Sequence, residues 1–181
     1  LMLQNPFYSE VLGSIEYYAR QQGYHILISA TDANESYLTL AKQRNLDGII
    51  VIGMYPSEFY QQMKKTKIPI VLIDSYCNDY YYHNIRIDDA YGSYLATQHV
   101  LQCGHRDVAF FVGQLHENGV MKKRLAGYQK ALSEFGVPYR PQYVFEGQID
   151  YESGIQMAGA LVQKEIPATA VVAAADILAI G

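Results

Sequence analysis

The strongest constraint on the fold is a repeated alternation of two patterns along the chain. Short runs of apolar, mostly β-branched residues are each followed by a segment whose apolar residues recur at helical spacing, about six times in all. Strands that alternate with helices in this way pair in parallel, because each helix returns the chain across the sheet. The sequence therefore predicts an α/β protein built on wound parallel sheets.

The first part of the pattern predicts four strands and three helices. We expect strands at residues 1–3, 24–30, 48–53 and 69–73, and helices over residues 7–22, 34–44 and from Pro56 onward. The run 48–53 is apolar without alternation, as in a central strand covered on both faces. The polar, aromatic stretch 75–84 then interrupts the pattern before a very short predicted strand at 85–87.

The alternation restarts at residue 89 in the same order. It predicts helices over residues 89–103, 125–135 and 153–163, and strands at 107–113, 143–146 and 169–174. We therefore predict an N-terminal lobe over residues 1–86 and a C-terminal lobe over residues 87–181. Residues 176–181 look like the first turns of another helix, so we expect the second lobe to be incomplete in this chain.

Composition and missing motifs exclude several classes of function. The net charge of -4 disfavours binding of a phosphate backbone by these residues, since such binding depends on clustered lysine and arginine. Two distant cysteines, Cys77 and Cys103, favour a reducing compartment, which we take to be the cytoplasm. No apolar run is long enough to span a membrane, and no phosphate-binding or catalytic motif is present. We expect no enzymatic activity and no cofactor.

A metal site is one interpretation of His99, Cys103 and His105. Residues four apart share a helix face, and His105 follows directly. The alternative is a helix end that turns at Gly104, with no fourth ligand close in sequence. We favour the second interpretation and predict no metal.

Polar and aromatic residues at predicted strand ends are candidates for ligand binding. Asp74 follows a buried strand, where a carboxylate can accept hydrogen bonds from the hydroxyls of a ligand, or can instead cap a helix or close a loop. Arg124 presents five donors, although a solvated surface arginine is the more common case. Helical spacing makes Phe7 a core candidate and its neighbour Tyr8 a pocket candidate.

Six segments, in this order and spacing, resemble the effector-binding core of LacI/GalR-type (lactose and galactose repressor) transcription regulators. They are Asn5-Pro6-Phe7-Tyr8, Asp47-Gly48-Ile49-Ile50, Ile85-Arg86-Ile87-Asp88-Asp89, Gly104-His105-Arg106-Asp107-Val108-Ala109-Phe110, Arg124-Leu125-Ala126-Gly127-Tyr128 and Asp176-Ile177-Leu178-Ala179-Ile180-Gly181. Together they cover essentially the whole chain.

This resemblance implies a periplasmic-binding-protein-like type I fold, in which two Rossmann-like lobes enclose a small-molecule effector such as a sugar. Regulators of this type are usually homodimers, and a helix-turn-helix domain, which we expect to lie outside this chain, binds operator DNA. A periplasmic solute-binding protein of a sugar transporter is the alternative, because it shares the fold and several pocket positions.

The resemblance also assigns ligand-binding roles. The implied residues are Asn5, Phe7, Tyr8, Asp74, Arg124 and Ile149. Together with the hydrogen-bonding chemistry of the two side chains, the resemblance makes ligand binding the favoured interpretation for Asp74 and Arg124. Two departures weaken the assignment to sugars: Ala175 replaces an asparagine that many relatives carry, and Ile149 offers no aromatic ring for stacking.

Overall fold

A computed structural model describes residues 6–29, 39, 41, 43–75, 77, 82–116 and 119–181 of the protein. The chain divides into two compact units, residues 1–45 and 46–181. This division differs from the lobe boundary predicted near residue 86, which stays a prediction. Each unit is described by itself below.

The first unit contains helix α1, Pro6–Gln21, as the periodicity predicts. The helix ends at Gly23, whose φ of 81° lies in the left-handed region that glycine adopts without steric cost. The amides of Gly23 and Tyr24 donate to the carbonyls of Arg20 and Ala19 and close the last turn.

Two strand predictions in the first unit have different outcomes. Residues 24–29 form no strand, although one is predicted over 24–30, because they pair with no strand among the described residues. The predicted strand at residues 1–3 and most of the predicted helix over 34–44 lie outside the described residues.

The second unit begins with a three-stranded parallel sheet, here called sheet A. Its strands are β1, Ile49–Ile52, β2, Ile70–Ile73, and β3, His83–Ile85, in the order β1-β2-β3. Helix α2, Ser57–Met63, connects β1 to β2 and follows Pro56 as predicted. The last strand lies two residues earlier than the predicted 85–87, and the Asp74 amide donates to the Ile85 carbonyl at its end.

A second three-stranded parallel sheet, sheet B, has the order β5-β4-β6. Its elements are helix α3, Asp89–Gln102, strand β4, Val108–Gly113, helix α4, Val120–Glu134, a 3₁₀ turn, Pro141–Tyr143, strand β5, Val144–Gly147, helix α5, Tyr151–Gln163, strand β6, Ala170–Ala173, and helix α6, Asp176–Ile180. All six residues of β4 are buried, as expected of a central strand. The sequence predicted every helix and strand of this region, with boundaries that differ by a few residues.

Close packing of α3 against α4 fixes the position of the second helix. A Cβ added at Gly127 would overlap the Ala90 carbonyl oxygen and lie 2.8 Å from the Tyr94 nitrogen, so only glycine allows this approach. One residue later, Tyr128 stacks on Phe110 of β4 at 4.7 Å and donates a hydrogen bond to the Val108 carbonyl. The Arg-Leu-Ala-Gly-Tyr segment therefore joins α4 to both its neighbouring helix and its sheet.

No helix among the described residues combines the length and the apolar character that crossing a lipid bilayer would require.

Candidate functional site

The carboxyl ends of the two parallel sheets supply the candidate site. In open α/β sheets, ligands bind outside the carboxyl ends of the strands. Four Cα steps along the chain connect Ile85, at this edge of sheet A, to Asp89, which contacts Arg124 at the corresponding edge of sheet B. Four steps span at most about 15 Å. The carboxyl edges of sheets A and B are therefore joined by a short segment, residues 85–89.

Asp74 is held at the carboxyl edge of sheet A. It follows the last residue of β2 directly, its amide donates to the Ile85 carbonyl at 3.0 Å, and it is half-buried. Its φ of 55° lies in the left-handed region, which aspartate tolerates better than most residues but still at a cost. Strained backbone conformations of this kind cluster at functional sites, which is consistent with the predicted ligand role.

Polar side chains that the sequence analysis did not single out support this position. Ser75 is fully buried, its hydroxyl lies 2.8 Å from the Tyr60 hydroxyl, and its carbonyl accepts from the Asn84 amide at 2.6 Å. Tyr82 donates to the Tyr60 carbonyl. These bonds fix the backbone directly after Asp74. The polar, aromatic run at residues 75–84 was the only sequence signal for them.

Arg124 lies at the carboxyl edge of sheet B and is anchored there on two sides. Its Nε donates to Oδ1 of Asp89 at 2.8 Å, and its Nη2 lies 2.7 Å from the same oxygen. Its Nη1 donates to the carbonyl of Ala174, the residue after β6. The Arg124 side chain is 23% exposed, whereas that of Asp89 is completely buried.

Asp89 is another residue of the candidate site that the sequence analysis did not single out. It is the first residue of α3, and its neighbour Asp88 caps the helix by accepting from the Tyr91 amide at 3.0 Å. Paired carboxylates at a helix start are common, because they satisfy free amides and complement the helix dipole. Only the fold shows that Asp89 turns inward to Arg124.

Ile149 forms an exposed apolar surface at the same edge. It follows β5, is 40% exposed, and packs over the end of β4, where a Cβ added at Gly113 would lie 2.6 Å from Ile149 Cγ1. The absence of a side chain at Gly113 therefore makes room for Ile149.

The N-terminal candidates lie in the first unit. Phe7 and Tyr8 are in the first turn of α1, with their rings 5.1 Å apart in an edge-to-face arrangement. Phe7 is 48% exposed, so the core position that helical spacing suggested for it is wrong. Asn5 lies outside the described residues.

Two further carboxylates lie at the carboxyl edge of sheet B, at the end of β5 and just after it. Glu146 accepts from the Leu115 amide at 2.9 Å, and this contact joins the segment that follows β4 to the end of β5. Asp150 caps α5 by accepting from the Ser153 amide at 2.8 Å. Hydrogen bonds from the Ser153 side chain and backbone hold the pKa of Asp150 below its usual value, so it is a carboxylate at neutral pH.

The possible metal ligands do not form a metal site. The Cys103 sulfur lies 3.9 Å from Nε2 of His99, but His105 contacts Thr169, with 2.9 Å between its Nδ1 and the threonine hydroxyl. Within the described part of the chain, no group of three histidine, cysteine or acidic side chains could hold a metal ion.

A separate polar cluster occupies the amino edge of sheet B. Nη1 of Arg140 lies 2.5 Å from Oδ1 of Asp107, which also accepts from the Tyr143 hydroxyl at 3.0 Å. These two bonds lower the pKa of Asp107, and the bonds that Arg140 donates to Asp107 and to the Tyr143 hydroxyl raise the pKa of the guanidinium. A small hollow lined by Arg106, Arg140 and Tyr143, among others, lies beside the start of β4, at the opposite end of the sheet from Arg124.

Comparison with known proteins finds one matching family and several similar proteins. The family described as periplasmic binding proteins and sugar binding domain of the LacI family matches residues 2–181. Catabolite control protein A of Priestia megaterium is 32% identical over 99% of this chain and 55% of its own length. The HTH-type transcriptional repressor PurR of Actinobacillus pleuropneumoniae serotype 5b (strain L20) is 29% identical over 97% of this chain and 54% of its own length. This chain thus spans about half the length of the curated relatives it matches.

A solved structure agrees with these relatives. The crystal structure of a LacI family transcriptional regulator from Enterococcus faecium with bound ribose is 26% identical, with a TM-score of 0.83. The match covers 98% of this chain and 65% of that one. The α/β architecture with parallel sheets is therefore that of the periplasmic-binding-protein-like fold of LacI-family regulators.

Proposed function

Because this chain belongs to the family of periplasmic binding proteins and LacI-type sugar-binding domains, we propose that it is the effector-sensing core of a bacterial transcriptional repressor. It binds a small molecule, a sugar or related metabolite, at the carboxyl edges of its sheets. Operator DNA is bound by a helix-turn-helix domain outside these residues, and the whole protein acts as a cytoplasmic homodimer. The observation that carries the proposal is the anchored guanidinium of Arg124 at a strand edge, where ligands of this fold class bind.

The binding groups complement a polyhydroxyl ligand. Arg124 donates hydrogen bonds, and the Asp74 carboxylate accepts them from adjacent hydroxyls. Ile149 adds an exposed apolar face of the kind that covers the carbon face of a sugar ring. The family resemblance also assigns ligand-binding roles to Asn5, Phe7 and Tyr8 of the first unit. The bound ribose of the E. faecium regulator supports the choice of a sugar.

Regulation requires a difference in affinity between two states. An effector changes operator binding only by as much as it prefers one arrangement of the protein over the other, commonly about 1–3 kcal/mol. The proposed core therefore transmits effector binding to the DNA-binding domain without chemical conversion of the effector. Two of the relatives named above, the PurR repressor and the E. faecium regulator, are regulators of transcription, which favours this role over that of a transporter's solute-binding protein.

The test is a thermal-stabilisation screen of the full-length protein against sugars, sugar phosphates and nucleobases. A ligand that prefers the native state raises the melting temperature by mass action. Fluorescence anisotropy with operator DNA then measures whether the same ligand changes DNA affinity. A screen in which no compound stabilises the protein, or in which the stabilising compound leaves operator affinity unchanged, contradicts the proposal.

The variant Asp74→Asn tests the proposed site. Asparagine also tolerates a positive φ, so the strand end is kept while the charge is removed. We expect ligand affinity to fall about ten- to hundredfold, as for a lost hydrogen bond to a charged group. Asp47→Asn is the matched control, because Asp47 is exposed and precedes β1 at the opposite edge of the sheet. Equal ligand affinity in both variants would mean that the site lies elsewhere.

A further inference from the structure

The pairing of Asp89 with Arg124 sets the electrostatics of the proposed site. Nε and Nη2 of the guanidinium both lie against one oxygen of a carboxylate that is completely buried. The arginine itself is 23% exposed, so part of its edge remains open to solvent. The exposed group thus belongs to an ion pair with no net charge.

The guanidinium still has hydrogen atoms to offer a ligand. Of its five N–H groups, one on Nε and one on Nη2 are directed to Asp89, and one on Nη1 is directed to the Ala174 carbonyl. At least one N–H remains on each terminal nitrogen. Hydroxyl oxygens can accept these bonds while Asp89 stays paired. An anion could accept the same bonds but would also be repelled by the neighbouring carboxylate.

The surroundings of the pair add to this repulsion. Glu146 and Asp150 lie at the same edge of the sheet, at and just after the end of β5. The start of α5, where free amides could attract a phosphate, is capped by the carboxylate of Asp150. A helix start that could favour an anion is therefore occupied by one of the protein's own acidic side chains.

We propose that Asp89 is the residue that determines the charge class of the effector: by neutralising Arg124 it selects a neutral, hydroxyl-rich ligand over a phosphorylated or carboxylated analogue. Asp89 acts through Arg124 and is a positioning and specificity residue rather than a direct contact. This inference rests on the proposed effector-binding function and on the placement of Arg124 in the site.

The test uses the full-length protein and pairs of ligands that differ only in charge. Isothermal titration measures Kd for neutral pentoses, hexoses and disaccharides and for the phosphate ester or uronic acid of each. The wild type is expected to bind the neutral member of a pair at least about tenfold more tightly, as expected for like charges brought close together. A wild type that binds the charged member equally well or more tightly overturns the inference.

The variant Asp89→Asn removes the charge while its amide oxygen can still accept from Arg124. We expect the preference for the neutral ligand to shrink about tenfold, mainly through tighter binding of the charged member. Asp88→Asn is the matched control, since Asp88 is exposed and asparagine caps helices equally well. The preference of Asp88→Asn for the neutral ligand should stay within about twofold of that of the wild type.

The outcomes separate this inference from the proposed function. If the wild type binds neutral ligands and the preference is the same in Asp89→Asn, the inference is wrong and the effector-binding function stands. If the wild type binds no member of any pair, both are wrong. Should Asp89→Asn fail to fold, the wild-type preference and that of Asp88→Asn decide the question.

Discussion

Sheet B carries an arginine–aspartate pair at each of its two edges, and the pairs differ in burial far more than in distance. At the carboxyl edge, Arg124 and Asp89 approach to 2.7 Å, with the carboxylate fully buried and the arginine 23% exposed. At the amino edge, Arg140 and Asp107 approach to 2.5 Å, with side chains 41% and 37% exposed. Water can replace either partner of the second pair but cannot reach Asp89. Burial, rather than the shorter separation, therefore decides which pair the fold depends on.

The largest expected effect comes from removing the partner of the buried carboxylate. Arg124→Ala leaves Asp89 without its cation, and breaking a pair of this kind costs about 3 kcal/mol of unfolding free energy. Urea denaturation followed by circular dichroism measures the change. Arg140→Ala is the matched control at the exposed pair and should destabilise the protein clearly less. Equal losses in the two variants would contradict the role assigned to burial.

Substitution of Gly127 tests whether helix packing holds the buried pair together. Gly127→Ala forces α4 away from the Ala90 carbonyl, and we expect a net loss of about 1–3 kcal/mol despite the better helix propensity of alanine. Because Arg124 lies one turn earlier on α4, ligand affinity should fall together with stability. Denaturation and ligand titration measure the two effects.

Gly92 provides the control for this change. It lies on the exposed side of α3, and a Cβ added there meets no atom within 4 Å. Gly92→Ala should therefore stabilise the protein by up to about 1 kcal/mol through helix propensity alone. If Gly127→Ala stabilises the protein as Gly92→Ala does, the packing argument is wrong.

The smallest expected effect is a pH dependence at the exposed pair. Arg140 and Tyr143 lower the pKa of Asp107, so its contribution to stability is fully present above the unfolded-state pKa of about 4 and is lost as the pH falls through the lower folded-state value. Asp107→Asn should therefore flatten the decline of the melting temperature below about pH 4. Thermal melts between neutral pH and pH 2 measure the slope, and an unchanged slope would exclude a role for this pair in acid stability.

Local patterns predicted much of sheet B and its helices. Strand β4 is a continuous apolar run, and α3 and α5 show helical spacing, so their positions follow from signals contained within a few residues. Strand β3 was displaced by two residues because its position is set by pairing with β2, whose residues lie twelve positions earlier in the chain. Residues 24–29 have the composition of a strand, but a strand also needs a neighbour to pair with.

The candidate site was harder to predict than the fold. Arg124 and Asp74 became candidates through their places in motifs and at strand ends. Asp89 was not a candidate, because an acidic residue is common at the start of a helix. Its contact with Arg124, 35 positions later, is visible only in the folded structure. Phe7 shows the opposite error: its spacing matches a buried face, yet it is 48% exposed. Periodicity predicts which face of a helix is apolar, but not what covers that face.

The complete burial of β4 limits where this protein can change its ligand. A strand enclosed on both faces has no position at which a new side chain can be accepted without repacking its neighbours. Diversification must therefore be confined to the residues just past the strand tips, such as Asp74 and Ile149, where an exchange alters recognition at little cost to folding. One scaffold can in this way serve many metabolites, provided that its interior stays the same.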